Sequence, residues 1–295
     1  DQFKNVPVMG LTATADKVTR RDIATQLGMQ DHVELVGSFN RQNLSLEVRA
    51  NLPAKERHVQ IANMIHKYKE DSGIVYCLSR KNTEQVAEKL AAFGIEAGVY
   101  HAGLSHQKRN QVQDDFINDK VKIICATIAF GMGIDKSNVR FVIHYNLPKN
   151  IESYYQEIGR AGRDGVPSET RLYYNYGDLK ILTEFAMQGK QADINMEKLK
   201  RMHQYAEADV CRRKILLSYF GEVLEQDCGN CDVCKNPRKH FVGTVMVQKA
   251  LSALKRTNEK VGMVMLIDIL RGSNKAELLE NGYEKIKTYG AGREF

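Results

Sequence analysis

Seven residues near the middle of the chain, Gly159-Arg160-Ala161-Gly162-Arg163-Asp164-Gly165, set two arginines three apart among glycines. If a helix runs on from Ile151, then Gln156, Arg160 and Arg163 fall at i, i+4 and i+7 and share one face. Glycines at 159 and 162 would keep the flanks of that face thin enough for a triphosphate to approach. An arginine presented in this way can neutralise the charge that builds on a transferring γ-phosphoryl group. Two arginines at a helix end are about as often plain solvated charge. Spacing alone leaves both readings open.

A second chemistry is written in sulfur. Of six cysteines, Cys211, Cys228, Cys231 and Cys234 follow the spacing C-x16-C-x2-C-x2-C, with three of them inside seven residues. Four thiolates suit tetrahedral Zn²⁺, and C-x2-C turns present neighbouring ligands without strain. Gly229 and Asn230 permit the tight turn, and Cys211 would come from a helix that the metal pins to the loop. Such a site has no open position, so the zinc would be structural. Cys77 and Cys125 sit in apolar runs and read as core residues. Two basic runs flank the cluster, Arg212-Arg213-Lys214 and Arg238-Lys239-His240. They read equally as contacts to duplex phosphates or as solvated charge.

The elements that must position these groups alternate. Strands are predicted at Leu44–Val48, Gly73–Cys77, Ala97–Tyr100, Val121–Ala126, Val139–Tyr145 and Arg171–Tyr174. Helical patterns lie between them: from about Pro53, with Ile61, Ile65 and Tyr68 on one face; from about Thr83, with Asn82 and Gln85 as a capping box; and from Ser105 to Phe116. This alternation predicts an α/β fold with a parallel, doubly wound sheet, whose ligands sit beyond the carboxyl ends of the strands. Ser79-Arg80, His101-Ala102-Gly103 and Thr127 all follow strands at that edge. Thr127 offers a hydroxyl and an N–H to a phosphate, or simply ends a strand. A lone His101 would more often be structural. Gly131 and Gly133 would let backbone approach a phosphate closely, and Asp135 either orders that loop or caps a turn. Beyond about Asp178 helices dominate, with Leu199, Met202 and Ala206 in one stripe. After Pro237 comes a helix bearing Val247, Ala250, Leu251 and Leu254, then a weaker one ending near Gly272.

Bulk numbers bound this picture. A chain of 295 residues with 43% hydrophobic content can form two or three cores. A net charge of +7 permits nucleic-acid partners without requiring them. No apolar run reaches the roughly 18 residues of a membrane span, and no signal segment opens the chain. A cytoplasmic or nucleoid-associated location, with no membrane partner, is the default expectation. The opening Asp1-Gln-Phe-Lys-Asn-Val-Pro reads as the middle of a domain, so the sequence is expected to be part of a longer protein.

The longer string Gln156-Glu157-x-Gly159-Arg160-x-Gly162-Arg163-Asp164-Gly165 resembles motif VI of superfamily-2 helicases, in the form typical of the RecQ family. Other resemblances follow in order. Gly10-Leu11-Thr12-Ala13-Thr14-Ala15-Asp16 looks like motif III, and Ile74-Val75-Tyr76-Cys77-x-Ser79-Arg80 like motif IV. Tyr100-His101-Ala102-Gly103-Leu104 looks like the turn after it, and Ala126-Thr127-x-Ala129-Phe130-Gly131-Met132-Gly133-Ile134-Asp135-Lys136 like motif V. The cysteine spacing is similar to the RecQ zinc module.

The resemblance implies the end of a first RecA-like lobe with a linker (1–38) and a second RecA-like lobe (39–177). It further implies a helical zinc module (178–237) and a partial winged helix (238–295). The parent would be an ATP-dependent 3′→5′ DNA helicase of recombination and repair, with ATP and Mg²⁺ as substrate and cofactor. Its partners would be single-stranded DNA and duplex junctions. Arg163 would be the arginine finger, supported by Arg160 and Gln156. Gly131, Gly133 and Asp135 would face ATP, and Ser79, Arg80, His101, Gly103 and Thr127 the DNA strand. Neither a G-x-x-x-x-G-K-[ST] string nor Asp-Glu-x-His occurs in this sequence, so the chain alone is expected not to hydrolyse ATP. A non-catalytic DNA-binding module and a DEAD-box RNA helicase are the rival readings.

Overall fold

Each predicted apolar run becomes a strand of one parallel sheet. The strands are β1 (Leu44–Ala50), β2 (Ser72–Tyr76), β3 (Ala97–Tyr100), β4 (Ile123–Ala126), β5 (Val139–His144) and β6 (Ser168–Tyr174), ordered β1-β6-β5-β2-β4-β3. All five pairings are parallel. The computed structural model describes residues 6–29, 31–131, 134–188, 191–237 and 241–294.

Side chains alternate across the sheet, so it serves two cores. On one face, Val75, Cys77, Cys125, Phe141, Ile143 and Tyr173 pack with Ile61 and Ile65 of α2 (Ala54–Lys67) and Val86 and Leu90 of α3 (Arg80–Ala91). On the other, Leu46, Ile74, Tyr76, Ile124, Val142 and Leu172 pack with Phe116 of α4 (His106–Ile117) and Tyr154 of α5 (Ile151–Ile158). This second core runs without a break into the helical region that follows the sheet. Leu182 of α6 (Tyr176–Met187), Met202 and Tyr205 of α7 (Ala192–Glu207), Leu216 of α8 (Arg212–Tyr219) and Cys231 all belong to it. Cys77 and Cys125 are buried thiols, and burial raises both, Cys125 to about 12.

Two helix boundaries differ from expectation. The Asn82 capping box does not form. α3 begins at Arg80, where the Ser79 hydroxyl accepts from the Asn82 N–H at 3.1 Å. The serine wins because it follows β2 closely and already has the extended backbone of an N-cap, φ −129°. α5 stops at Ile158 rather than running on through the arginines. Before the sheet lies α1 (Lys17–Gln26), capped by Asp16.

The chain divides into two compact units, Asp1–Pro237 and Arg238–Phe295. The second holds α10 (Thr244–Arg256), α11 (Met263–Arg271) and α12 (Ala276–Glu280), following the single turn α9 (Asp232–Lys235) that ends the first. Ala253, Ile269 and Leu278 form its buried points, and α11 ends on Gly272 in the left-handed conformation. The expected helix bearing Val247 and Leu251 is α10, on which both side chains are exposed. No described helix is long and apolar enough to cross a membrane.

Candidate functional site

Helix termination sets the geometry of the two central arginines. After Ile158 the chain turns through Gly159–Gly165, with Gly162 at φ +57°. A Cβ on Gly162 would lie 2.4 Å from Asn43 Nδ2 and 2.8 Å from the Val166 carbonyl. That glycine therefore fits the turn against the protein itself, not against a ligand. Arg160 and Arg163 leave the expected helical stripe and project from a turn that precedes β6.

That turn is held by side chains from three places. Arg41 donates to the carbonyls of Gly159 (3.4 Å), Ala161 (3.1 Å) and Gly162 (2.7 Å). Asn43 Nδ2 donates to Gly162 O at 2.8 Å and Val166 O at 3.0 Å. Buried Arg140 pairs with Asp164 and donates to Ser168 Oγ at 3.2 Å. Glu157 anchors the preceding helix to the sheet through a 2.7 Å contact with buried His144. Sequence reasoning missed Arg41, Asn43, Arg140 and His144, since nothing in their local spacing links them to the arginines.

The two arginines differ. Arg163 is exposed and contacts Asp135 Oδ1 at 3.0 Å and the Ile134 carbonyl at 3.1 Å. Arg160 lies inward against Gly131, where a Cβ would come within 2.9 Å of its guanidinium, and its Nε has no partner among the described residues. Gln156, exposed on α5, bonds the Thr14 hydroxyl. Gly131 and Asp135 thus lie beside the arginines, while Gly133 lies outside the described residues. The loop bearing them is tethered by Tyr76, whose buried hydroxyl donates to Phe130 O at 2.9 Å.

The strand-end residues occupy the opposite end of the sheet. Ser79 and Arg80 follow β2, His101 and Gly103 follow β3, and Thr127 follows β4, on three neighbouring strands. Ser79, Arg80 and Gly103 are exposed. His101 is buried: Nε2 meets Glu84 at 3.1 Å and Nδ1 accepts the Gly103 N–H at 3.2 Å, so it shapes the turn from within. The Thr127 N–H is already bonded to Tyr100 O at 3.1 Å, so it is not available to a phosphate as expected. Thr127 follows β4, and Asp135 precedes β5.

The four cysteine sulfurs all lie within 4.8 Å of one another. Cys231–Cys234 and Cys228–Cys234 are 3.3 and 3.9 Å apart. These bracket the roughly 3.8 Å separation of sulfurs at tetrahedral corners about 2.3 Å from zinc. Backbone N–H groups of Cys228, Asn230 and Cys234 donate to sulfur at 3.4 Å, as they would to thiolates. Burial raises the Cys211 thiol, but N–H groups of Cys228 and Lys214 outweigh that and hold it below its usual value. The donor set fits one metal with no open position.

The knuckle also closes the edge strand β1. Leu46 N–H donates to Asn230 O at 3.2 Å and Val48 N–H to Asp232 Oδ2 at 3.2 Å. Arg212 and Arg213 are buried, contrary to both readings of the basic run. Arg212 forks onto Asp232 at 3.0 and 3.1 Å, and Arg213 bonds the carbonyls of Arg41 and Leu44. Each guanidinium gains more from several fixed acceptors than a chance surface contact would offer. Arg238-Lys239-His240 lies outside the described residues.

Three family models match successive stretches of the chain. Residues 56–165 match the helicase conserved C-terminal domain, 176–235 the RecQ zinc-binding family and 237–295 the RQC domain. The Pasteurella multocida protein named ATP-dependent DNA helicase RecQ is 43% identical over 99% of this chain and 46% of its own length. The Haemophilus influenzae protein of the same name is 41% identical over 99% and 47%. The chain therefore spans about half the length of these relatives. Schizosaccharomyces pombe hus2/rqh1, also named an ATP-dependent DNA helicase, is 39% identical over 99% of the chain and 23% of its own length. The zinc-binding match and the cysteine cluster together point to a structural zinc.

Proposed function

The chain belongs to the RecQ family, and from that premise we propose that the protein carrying it is an ATP-dependent 3′→5′ DNA helicase of recombination and repair. The observation that carries this reading is the arginine turn: a clamped backbone presenting Arg163 to solvent beside Asp135.

ATP binds between this lobe and a P-loop lobe that brings Mg²⁺ with the nucleotide. Arg163 leaves Asp135 to meet charge developing on the γ-phosphoryl group, with Arg160 and Gln156 supporting it and Gly131, Gly133 and Asp135 lining that side. Ser79, Arg80, Gly103 and the Thr127 hydroxyl follow one DNA strand along its backbone, with His101 shaping their turn. Closing and reopening the cleft steps this lobe along the strand. Cys211, Cys228, Cys231 and Cys234 hold a structural zinc. Residues 1–38, 39–177, 178–237 and 238–295 correspond to the end of the first lobe, the second lobe, the zinc module and part of a winged helix. Single-stranded DNA and duplex junctions are the partners, in the cytoplasm at the nucleoid.

The test is ATP hydrolysis and duplex unwinding by the full-length protein, with DNA or RNA as the stimulating strand. Stimulation by DNA and displacement of a 3′-tailed duplex are expected, and a preference for RNA would overturn the substrate assignment. This chain alone should not turn over ATP. Release of phosphate at about 1 per second or faster would contradict the division of labour between lobes.

A further inference from the structure

Arg41 lies outside the helicase-domain match at 56–165, yet its guanidinium meets three carbonyls of the arginine turn. Those carbonyls, of Gly159, Ala161 and Gly162, lie in the turn beyond α5, whose own last carbonyls, of Tyr155, Glu157 and Ile158, are already met by the N–H groups of Gly159, Arg160 and Ala161. A cation there also complements the negative end of the helix. The other side chains that hold the turn act differently. Asn43 adds a neutral amide to Gly162 O, and Arg140 works on the far side, at Asp164 and Ser168.

Arg41 is itself fixed from a third direction. Its carbonyl accepts from Arg213 and from the Leu44 N–H at 3.1 Å, and Arg213 also holds Asn40 Oδ1 at 3.1 Å. Arg213 is 5% exposed and stands two residues after Cys211. The segment Asn40–Leu44 is therefore a bracket, seated on the start of α8 at one side and gripping the arginine turn at the other.

Resting on the helicase reading above, we propose that Arg41 is a positioning residue for Arg163. A long exposed side chain points wherever its backbone aims it. This backbone contains a left-handed glycine; Gly162 is tied to Val139 O and to Gly165 N–H, but among the described residues only Arg41 meets the carbonyls of Gly159 and Ala161. Three hydrogen bonds from one planar guanidinium fix the stretch that runs from Gly159 to Gly162 and carries Arg160 into Arg163. Displacing a transition-state group by about 1 Å costs on the order of 10²-fold in rate, so the clamp acts on catalysis without touching nucleotide or DNA.

The experiment compares Arg41→Ala, Arg41→Lys, Arg163→Ala and the Arg41→Ala/Arg163→Ala pair in the full-length protein. It measures kcat, KM for ATP, single-strand affinity and thermal unfolding. Arg41→Ala is expected to lower kcat about tenfold or more, with KM and DNA affinity within about twofold. Arg41→Lys should fall between it and the parent, because one ammonium cannot span three carbonyls; if the alanine variant does not fold, this one carries the test. The pair should be less than about threefold slower than Arg163→Ala alone, since a clamp has little to position once the finger is gone. Normal kcat in both Arg41 variants, or rate losses that multiply in the pair, would overturn the inference while leaving the helicase reading intact. Normal kcat in Arg163→Ala would instead remove the finger assignment and this inference with it.

Discussion

Two arginine pairs lie within one compact unit, Arg160 with Arg163 and Arg212 with Arg213, and they have opposite fates. Arg163 is exposed, with one ion-pair partner that is itself almost fully solvated. Arg160 keeps an Nε with no partner among the described residues. Arg212 and Arg213 are buried, and their guanidiniums meet Asp232, the Asn40 side chain and four backbone carbonyls. In the first pair the exposed Arg163 has bonding capacity left for a ligand, and the second pair has almost none. Arginine side chains become available for chemistry where the backbone is clamped and the guanidinium is not. They become structural where the guanidinium does the clamping.

The largest effect expected from this contrast is at the knuckle that Arg212 and Arg213 serve. A structural zinc supplies on the order of 10 kcal/mol of apparent binding energy. One metal per chain is expected in protein purified without chelator. Because Leu46 and Val48 bond to Asn230 and Asp232, stripping the metal, or Cys231→Ser, should free these outward amides of β1 and unfold residues 190–236 while β1 stays paired with β6. Hydrogen exchange at the amides of Leu46 and Val48 reads this directly. Unchanged protection there would show that the sheet edge stands without the knuckle.

Next in size is Arg212→Ala, which leaves Asp232 without its forked partner beside a helix end. Removing one member of a buried ion pair costs about 3–5 kcal/mol, and urea unfolding should show a loss of that order. Arg212→Lys should recover little, since a lysine cannot bond Asp232 and the Tyr205 and Ala206 carbonyls at once. A loss within the ordinary surface range of about 0.5 kcal/mol would erase the distinction between the pairs.

Arg163→Ala should behave in the reverse way, with stability changed by no more than about 0.5 kcal/mol. In the full-length protein, kcat should fall by about 10² or more with ATP and DNA binding retained, and Arg163→Lys should rescue little. If stability falls instead of rate, Arg163 belongs with Arg212. A parallel loss of single-strand affinity would move it to the DNA track.

The sheet was legible because β2, β4 and β5 are buried, mainly apolar runs and β1 turns Leu44, Leu46 and Val48 inward at alternate positions, and all six emerged within three residues of their expected ends at either terminus. The cysteine site was legible because the sequence itself places three ligands within one turn. What stayed hidden was long-range. Arg212 and Arg213 read as a basic surface run, and only the meeting of α8 with Asn40–Leu44 buries them. The i, i+4, i+7 stripe failed for a local reason with a distant cause. Gly159 and Gly162 permit α5 to stop, but it is Arg41 and Asn43, more than 110 residues away, that bond the carbonyls of the turn that follows. The Thr127 N–H was misread because strand pairing with β3 could not be seen from β4 alone.

Lys214 completes the basic triplet and offers the smallest but cleanest contrast. Unlike its two neighbours it is partly exposed, so of the three it alone has the access a duplex phosphate would require. Its ammonium already meets Asp227 Oδ1 at 2.8 Å, and that hydrogen bond, together with charge on Asp227 and on the sulfurs of Cys211 and Cys234, raises its pKa. A lysine held in place by an aspartate and a thiolate cluster has its charge locally balanced, so replacing it should release no extra counterions from DNA. Lys214→Ala is expected to leave both folding stability and the salt dependence of duplex binding unchanged. The measurement is the slope of log Kobs against log salt for a duplex bound by the two proteins. If Lys214 neutralised a phosphate, its removal would flatten that slope by about 0.9. Such a change would return part of the triplet to the DNA surface, and leave burial, rather than sequence neighbourhood, as what separates Lys214 from Arg212 and Arg213.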